Sequence, residues 1–182
     1  PEYTFEADVK PEFKFLMETK DRWASAFDRH IFYFDIETWS DETLEKGFAD
    51  AHNPHAPITA IQGYSTKLEK YVIITWHETH TEELVQPKIT EKDDKIFIFC
   101  KDEEDVINAF FMFLRDYDVD IITGWWSKGF DLPYIMNRCV RLNIDPNQMS
   151  PINYVTHYQK RGEWKTYLNG LDHVDMLEAT LK

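Results

Sequence analysis

The feature that most constrains the fold is an alternation of strand-like and helix-like segments in the middle of the chain. Residues 95–100 form a short apolar run typical of a strand, and the apolar residues that follow recur at helical spacing over 102–117. A second strand is predicted at 119–125 and a second helix at 131–142. Strands that alternate with helices pair in parallel, which places the chain in the α/β class.

Three further strand-like runs precede this unit. Residues 31–34 are aromatic and β-branched, a pattern that predicts a strand buried on both faces. Residues 58–65 and 71–76 are separated by a spacing that suits a hairpin, so we expect the first three strands to be antiparallel. Residues 38–57 and 77–94 are interpreted as loops, the latter polar and acidic.

Beyond residue 151 the sequence predicts a β-hairpin and a last helix. Strands around 152–158 and 163–168 flank Gly162, and the last helix begins near Asp175. The prediction is therefore a mixed sheet with three antiparallel strands followed by β-α-β-α, plus an inserted β-hairpin.

Composition restricts the function classes. The chain has 182 residues and a net charge of −13, which argues against a protein that holds DNA mainly through a continuous basic surface. Residues 138–165 nevertheless carry five basic and two acidic side chains, so a polyanion could approach there. No apolar run nears the ~20 residues that span a bilayer, and the two cysteines lack metal or disulfide spacing. We expect a soluble cytoplasmic protein without a membrane or disulfide partner.

Asp35 and Glu37 are the first candidate site residues. They lie two positions apart on a predicted strand, so both carboxylates point to the same face. Adjacent carboxylates repel unless a cation or a proton compensates, and Mg²⁺ prefers carboxylate oxygens. The alternative is that the strand end is solvated and the pair has no chemical role.

Asp131 allows two interpretations. An Asp before Leu-Pro is typical of a helix N-cap. The residues before it predict a strand–loop–helix unit, which would bring this carboxylate to the top of a strand, where it could face Asp35.

These residues resemble known motifs. Phe34-Asp35-Ile36-Glu37-Thr38 is similar to the first exonuclease motif of family B DNA polymerases, and the segment 121–138 resembles their second. Residues 1–30 resemble the end of that family's N-terminal domain, and 31–182 its exonuclease domain, as in phage polymerases.

The resemblance implies a ribonuclease H-like fold and a proofreading 3′→5′ exonuclease that hydrolyses single-stranded DNA with two Mg²⁺ or Mn²⁺ ions about 3.5–4 Å apart. Asp35 would bridge both metals, Glu37 would bind the metal that activates water, and Asp131 would serve the second. Phe130 would pack beside the 3′-terminal nucleotide and Thr38 would help to hold it. The implied partners are the palm, fingers and thumb domains of the parent polymerase.

Trp126 and Arg138 complete the expected DNA-binding set. The family usually has Asn where this chain has Trp126, so a polar contact would be replaced; Trp125 and Trp126 could stack on DNA, pack in a core or support the loop. Arg138 lies on a predicted helix and could contact phosphate.

The third motif of the family, Tyr followed four residues later by Asp, is not found after residue 142. We therefore expect a fragment that lacks its fourth carboxylate and is weak or inactive alone. Asp175 is interpreted as structural. Two alternatives remain open at this point: a stand-alone ribonuclease H-like nuclease, and a degenerate scaffold domain that has lost catalysis.

Overall fold

The computed structural model describes residues 28–39, 49–76 and 84–181. Within them a seven-stranded sheet has the order β4-β5-β3-β2-β1-β6-β9, and a separate hairpin is formed by β7 and β8. Most of residues 1–30, the predicted lead-in segment, lie outside the described residues, as do residues 40–48 of the predicted loop over 38–57.

The bounds of the elements follow the chain order. The strands are β1 (Ile31–Thr38), β2 (Ile58–Ser65), β3 (Lys70–Thr75), β4 (Lys88–Lys92), β5 (Lys95–Phe99), β6 (Ile121–Gly124), β7 (Val155–Lys160), β8 (Glu163–Leu168) and β9 (Asp172–Asp175). The helices are α1 (Glu103–Asp116), α2 (Asp131–Leu142), α3 (Met176–Thr180) and a 3₁₀ turn at Pro146–Met149.

The sheet has an antiparallel half and a parallel half. β1 pairs antiparallel with β2, and β2 with β3, as predicted. β5 joins β3 in parallel, and β6 and β9 extend the other edge in parallel with β1. This arrangement confirms the predicted α/β class and is that of a ribonuclease H-like fold.

The central strand β1 is buried on one face rather than two. Phe32 and Phe34 are buried and pack against Phe110 of α1, whereas Tyr33 and Asp35 on the other face are exposed. The expectation of a strand buried on both faces was wrong because the aromatic run hid an alternation in which Tyr33 points to solvent.

Helix α1 was predicted most clearly, because its apolar residues recur at helical spacing. Its N-cap is Asp102, whose side chain accepts a hydrogen bond from the backbone N–H of Asp105. Such a cap satisfies one of the free N–H groups of the first turn. The buried aromatic side chains of this helix form the centre of the hydrophobic core with those of β1.

Two strands were missing from the prediction. β4 lies within the segment interpreted as an acidic loop, and all its residues are exposed. β9 is short and polar in sequence, Asp-His-Val-Asp, and it closes the parallel edge of the sheet beside β6. Among the helices in the described residues, none is long and apolar enough to cross a membrane.

Candidate functional site

The candidate site forms where β1 runs past the end of its neighbour β6. The parallel pairing of β1 with β6 stops at Tyr33 opposite Thr123. Beyond this point the backbone N–H of Ile36 donates a hydrogen bond to the carboxylate Oδ1 of Asp131, at 3.1 Å. The bond ties the end of the central strand to the first residue of α2, and it brings Asp131 next to Asp35.

Asp131 is in an electrostatically unfavourable position. Its side chain is 3% exposed, and burial together with the negative charge of Asp35 raises the pKa of Asp131 from 3.8 to about 7. The hydrogen bond from Ile36 acts in the opposite direction and is the weaker effect. A buried carboxylate with a like charge beside it is stabilised by a proton or by a cation.

The N-cap interpretation of Asp131 was wrong. Phe130 occupies the N-cap position of α2, and it makes no side-chain capping bond. Asp131 is instead the first helical residue, and its carboxylate is turned toward β1. Of the two interpretations of Asp131, the structure therefore favours the one that faces Asp35.

Asp35 and Glu37 point to the same exposed face of β1, as their spacing predicted. The Glu37 carboxylate accepts a hydrogen bond of 3.1 Å from the side-chain amide of Gln62, which lies on β2. Among the described residues no three His, Cys, Asp or Glu side chains form a cluster that could hold a metal ion. The structure thus brings Asp35 and Asp131 together, whereas Glu37 is hydrogen-bonded to Gln62.

Two aromatic rings, those of Trp126 and Phe130, lie on the loop that leads to Asp131. The rings of Trp126 and Phe130 are nearly parallel, with 6.2 Å between their centroids and 13° between their planes. Trp126 is 54% exposed and Trp125 is 61% exposed, which excludes the interpretation that they pack in the core. The backbone of Trp126 has φ +55°, a left-handed conformation that costs a bulky residue roughly 1–3 kcal/mol.

The loop that carries these rings is fastened to β9. The buried Ser127 hydroxyl pairs with Nε2 of His173 at 2.8 Å, and the Lys128 backbone N–H donates to the Asp175 carboxylate at 2.8 Å. Asp175 also caps α3 by accepting from the N–H groups of Leu177 and Glu178. This agrees with its structural interpretation.

Sequence reasoning missed Ser127 and His173. Burial lowers the pKa of His173 to about 4, so the imidazole is neutral near neutral pH, and its buried Nδ1 has no hydrogen-bond partner among the described residues. No local signal pointed to the pair, because Ser127 lies in a loop and His173 lies on β9, a strand that the sequence did not predict.

Thr38 and Arg138 have different surroundings from one another. Thr38 is partly buried at the end of β1, where the pairing with β2 is irregular. Arg138 is 7% exposed; its guanidinium forms a buried ion pair with Glu103 and donates to the carbonyl groups of Pro54 and His55. The prediction that Arg138 contacts phosphate was therefore wrong, because its guanidinium N–H groups already donate to protein oxygens.

Comparison with known proteins identifies the protein family of this α/β chain. The family model described as DNA polymerase family B, exonuclease domain, matches residues 4–181. The chain therefore belongs to the exonuclease-domain family of family B DNA polymerases.

Its relatives are much longer proteins. The DNA polymerase catalytic subunit of Elephantid herpesvirus 1 is 26% identical over 157 residues, which is 81% of this chain and 14% of that protein. DNA polymerase 1 of Sulfurisphaera ohwakuensis is 26% identical over 164 residues, 87% of this chain and 17% of that protein. The bovine DNA polymerase delta catalytic subunit is 43% identical over 42 residues, 23% of this chain and 4% of that protein.

Proposed function

We propose that this chain is the proofreading 3′→5′ exonuclease domain of a DNA-directed DNA polymerase. It would hydrolyse the 3′-terminal phosphodiester bond of single-stranded DNA. The proposal is supported by the family to which the chain belongs and by one structural observation above all, the pair of carboxylates from Asp35 and Asp131 at the open end of β1.

The Asp35–Asp131 pair fits a divalent cation. Both residues offer carboxylate oxygens, the ligands that Mg²⁺ and Mn²⁺ prefer, and the raised pKa of Asp131 reflects a negative charge that a cation would compensate. We propose Asp35 and Asp131 as the principal ligands, with Glu37 joining them from the same strand face. Two bound ions would lower the pKa of the attacking water and neutralise charge on the leaving 3′ oxygen.

Other residues of the chain would position Asp131 and the terminal nucleotide. The N–H of Ile36 holds Asp131 at a fixed position and keeps its carboxylate directed at Asp35. Phe130, which lies directly before Asp131, offers a partly buried ring for the terminal base, where stacking tolerates any sequence. Thr38 is proposed to contact the same nucleotide from the end of β1.

The parent protein is proposed to be a family B polymerase in which palm, fingers and thumb domains supply most of the DNA affinity. The net charge of −13 supports this division, since an acidic domain gains little from phosphate attraction. Tight binding of single-stranded DNA by this chain at moderate salt, without metal, would contradict it.

The activity is tested on a single-stranded oligodeoxynucleotide labelled at its 5′ end, with Mn²⁺ and with EDTA. We expect a weak ladder of products shortened one nucleotide at a time from the 3′ end, formed only with metal. Asp35→Asn and Asp131→Asn should each abolish the ladder because each removes an anionic ligand.

Asp118→Asn is the matched control, since Asp118 is an exposed residue following α1. It should hydrolyse the oligonucleotide as the wild-type chain does. Products released from the 5′ end, or equal hydrolysis by Asp131→Asn, would contradict the proposal. The matches that cover most of this chain span only 14% and 17% of those relatives, so the same assay is repeated on a longer chain, which should give a stronger ladder.

A further inference from the structure

Trp126 has an unusual backbone conformation for its side chain. Among the described residues other than glycine, seven have positive φ, and Trp126 is the aromatic one. The other six are acidic, basic or amide residues: Glu69, Asp93, Asp118, Asn143, Asn153 and Arg161. Asn and Asp are the residues that tolerate this conformation best, whereas a bulky side chain there signals strain that the surroundings must impose.

The surroundings of Trp126 do impose it. Its carbonyl oxygen accepts hydrogen bonds from the N–H groups of both Gly129 and Phe130, at 2.9 and 3.0 Å. The next residue, Ser127, is buried and bonded to His173. The backbone that follows Trp126 is therefore fixed by hydrogen bonds.

The indole rests against the chain on one side. A Cβ at Gly129 would lie 2.2, 2.5 and 2.8 Å from three adjacent atoms of the five-membered ring. Such similar short distances place that Cβ over the ring face, so Gly129 is required for the indole to lie there. More than half of Trp126 still remains exposed, beside the nearly parallel ring of Phe130.

We propose that Trp126 and Phe130 form a two-ring platform on which unpaired bases of the DNA strand stack. The inference rests on the proposed nuclease function and deepens it by assigning Trp126 as a second base-stacking residue. A strained backbone that holds an exposed aromatic ring is expected where the ring has a ligand, because burial does not explain it.

A nucleobase fits this platform better than a protein surface does. Phe130 leads directly into Asp131, so the platform borders the two carboxylates at which the terminal phosphate would react. Stacking on aromatic rings also suits an acidic chain, since it needs no phosphate attraction.

The test compares the wild-type chain with Trp126→Asn and Trp126→Phe, using a 5′-labelled oligothymidylate with Ca²⁺ in place of Mg²⁺. Fluorescence anisotropy gives the dissociation constant, and a thermal melt gives stability. Trp126→Asn should weaken binding about fivefold or more while raising the melting temperature, because Asn relieves the backbone strain and removes the ring. Trp126→Phe should retain most of the binding.

Trp125→Asn is the matched control, since Trp125 is an equally exposed indole one residue away. Its dissociation constant should stay close to that of the wild-type chain. An oligothymidylate whose 3′-terminal residue is abasic should bind the wild-type chain more weakly than the intact strand does. The difference should be smaller in Trp126→Asn, which keeps only the ring of Phe130.

The platform would be overturned by unchanged DNA binding in Trp126→Asn, which would point to a protein contact, or by an equal loss in Trp125→Asn. Hydrolysis with Mn²⁺ separates this failure from that of the proposed function. If the wild-type chain hydrolyses the strand, Asp131→Asn does not, and Trp126→Asn binds normally, then the nuclease stands and the platform falls. If nothing is hydrolysed but Trp126→Asn binds weakly, the platform stands without the nuclease.

Discussion

Helix α2 carries two buried ionisable side chains about two turns apart, Asp131 and Arg138, and their surroundings are opposite in charge. Arg138 is paired with Glu103, which also accepts a hydrogen bond of 2.8 Å from the backbone N–H of Ile58. Asp131 faces another carboxylate, that of Asp35, and burial adds to the repulsion. The paired charge fastens the helix to α1 and to the segment before β2, whereas the repelling pair costs stability at the proposed site.

The difference indicates that Arg138 has a structural role and Asp131 a functional one. A buried ion pair with its hydrogen bonds complete is explained by the fold around it. Two close carboxylates with a raised pKa have no such explanation within the described residues, and perturbed groups of this kind gather at functional sites. The following changes would break or sharpen the contrast.

The largest effect is expected from Arg138→Leu. It leaves Glu103 buried without its partner, which typically costs about 3–5 kcal/mol of unfolding free energy. Urea denaturation measures the loss. The double variant Glu103→Leu/Arg138→Leu should recover most of it, because no charge is then left uncompensated, and a loss below about 1 kcal/mol in the single variant would show a pair no stronger than one at the surface.

Asp131→Asn should raise the free energy of unfolding, whereas Arg138→Leu lowers it. The amide can still accept the hydrogen bond from Ile36, but it removes a charge that burial and Asp35 disfavour, so stability at pH 8 should rise by about 2 kcal/mol. Asp118→Asn, at an exposed position, should change stability by less than about 0.5 kcal/mol. A less stable Asp131→Asn in metal-free urea titrations would mean that the carboxylate stabilises the fold.

His173 illustrates a third outcome, in which a buried group is kept neutral. Its pKa of about 4 lies below the usual 6.5, so the unfolded chain binds more protons between these values. The stability that this group contributes is complete above pH 6.5 and is lost as the pH falls toward 4. His173→Gln, which can still bond to Ser127, should reduce the acid loss by about 1–2 kcal/mol.

Urea midpoints measured from pH 7 to pH 4 give this pH dependence. His157, whose pKa burial also lowers to about 4, remains in the variant and accounts for a residual slope. Identical slopes in wild type and His173→Gln would mean that the pKa of His173 is the same in the folded and the unfolded protein.

The smallest effect is expected at Gln62. Gln62→Ala removes the hydrogen bond to the exposed Glu37, which should change stability by no more than about 1 kcal/mol. Freed from Gln62, Glu37 can turn toward Asp35, so Mn²⁺ affinity measured by calorimetry should be unchanged or higher. Weaker Mn²⁺ binding would show that Gln62 positions Glu37 as a ligand.

The sequence predicted those elements whose local pattern is complete. Helix α2 has the predicted bounds, α1 differs by one residue at each end, and strand β8 occupies 163–168 as expected. β4 was missed because an edge strand exposed on both faces has no apolar alternation, and β9 because four mostly polar residues resemble a loop.

At the candidate site, the sequence did not predict contacts between residues that are far apart in the chain. The spacing of Asp35 and Glu37 predicted a shared face, and the strand–loop–helix unit predicted that Asp131 could reach it. That Arg138 is bound to Glu103 depends on the packing of two helices, which no local pattern contains. The left-handed backbone of Trp126 was equally hidden, because a tryptophan does not suggest it.

The most direct test of the central claim is a calorimetric Mn²⁺ titration of the wild-type chain beside Asp35→Asn, Asp131→Asn and Asp118→Asn. The account predicts saturable binding in the wild-type chain and in Asp118→Asn, and its loss in both site variants. Equal binding in all four proteins would place Mn²⁺ elsewhere on this acidic chain and would contradict a cation site at Asp35 and Asp131.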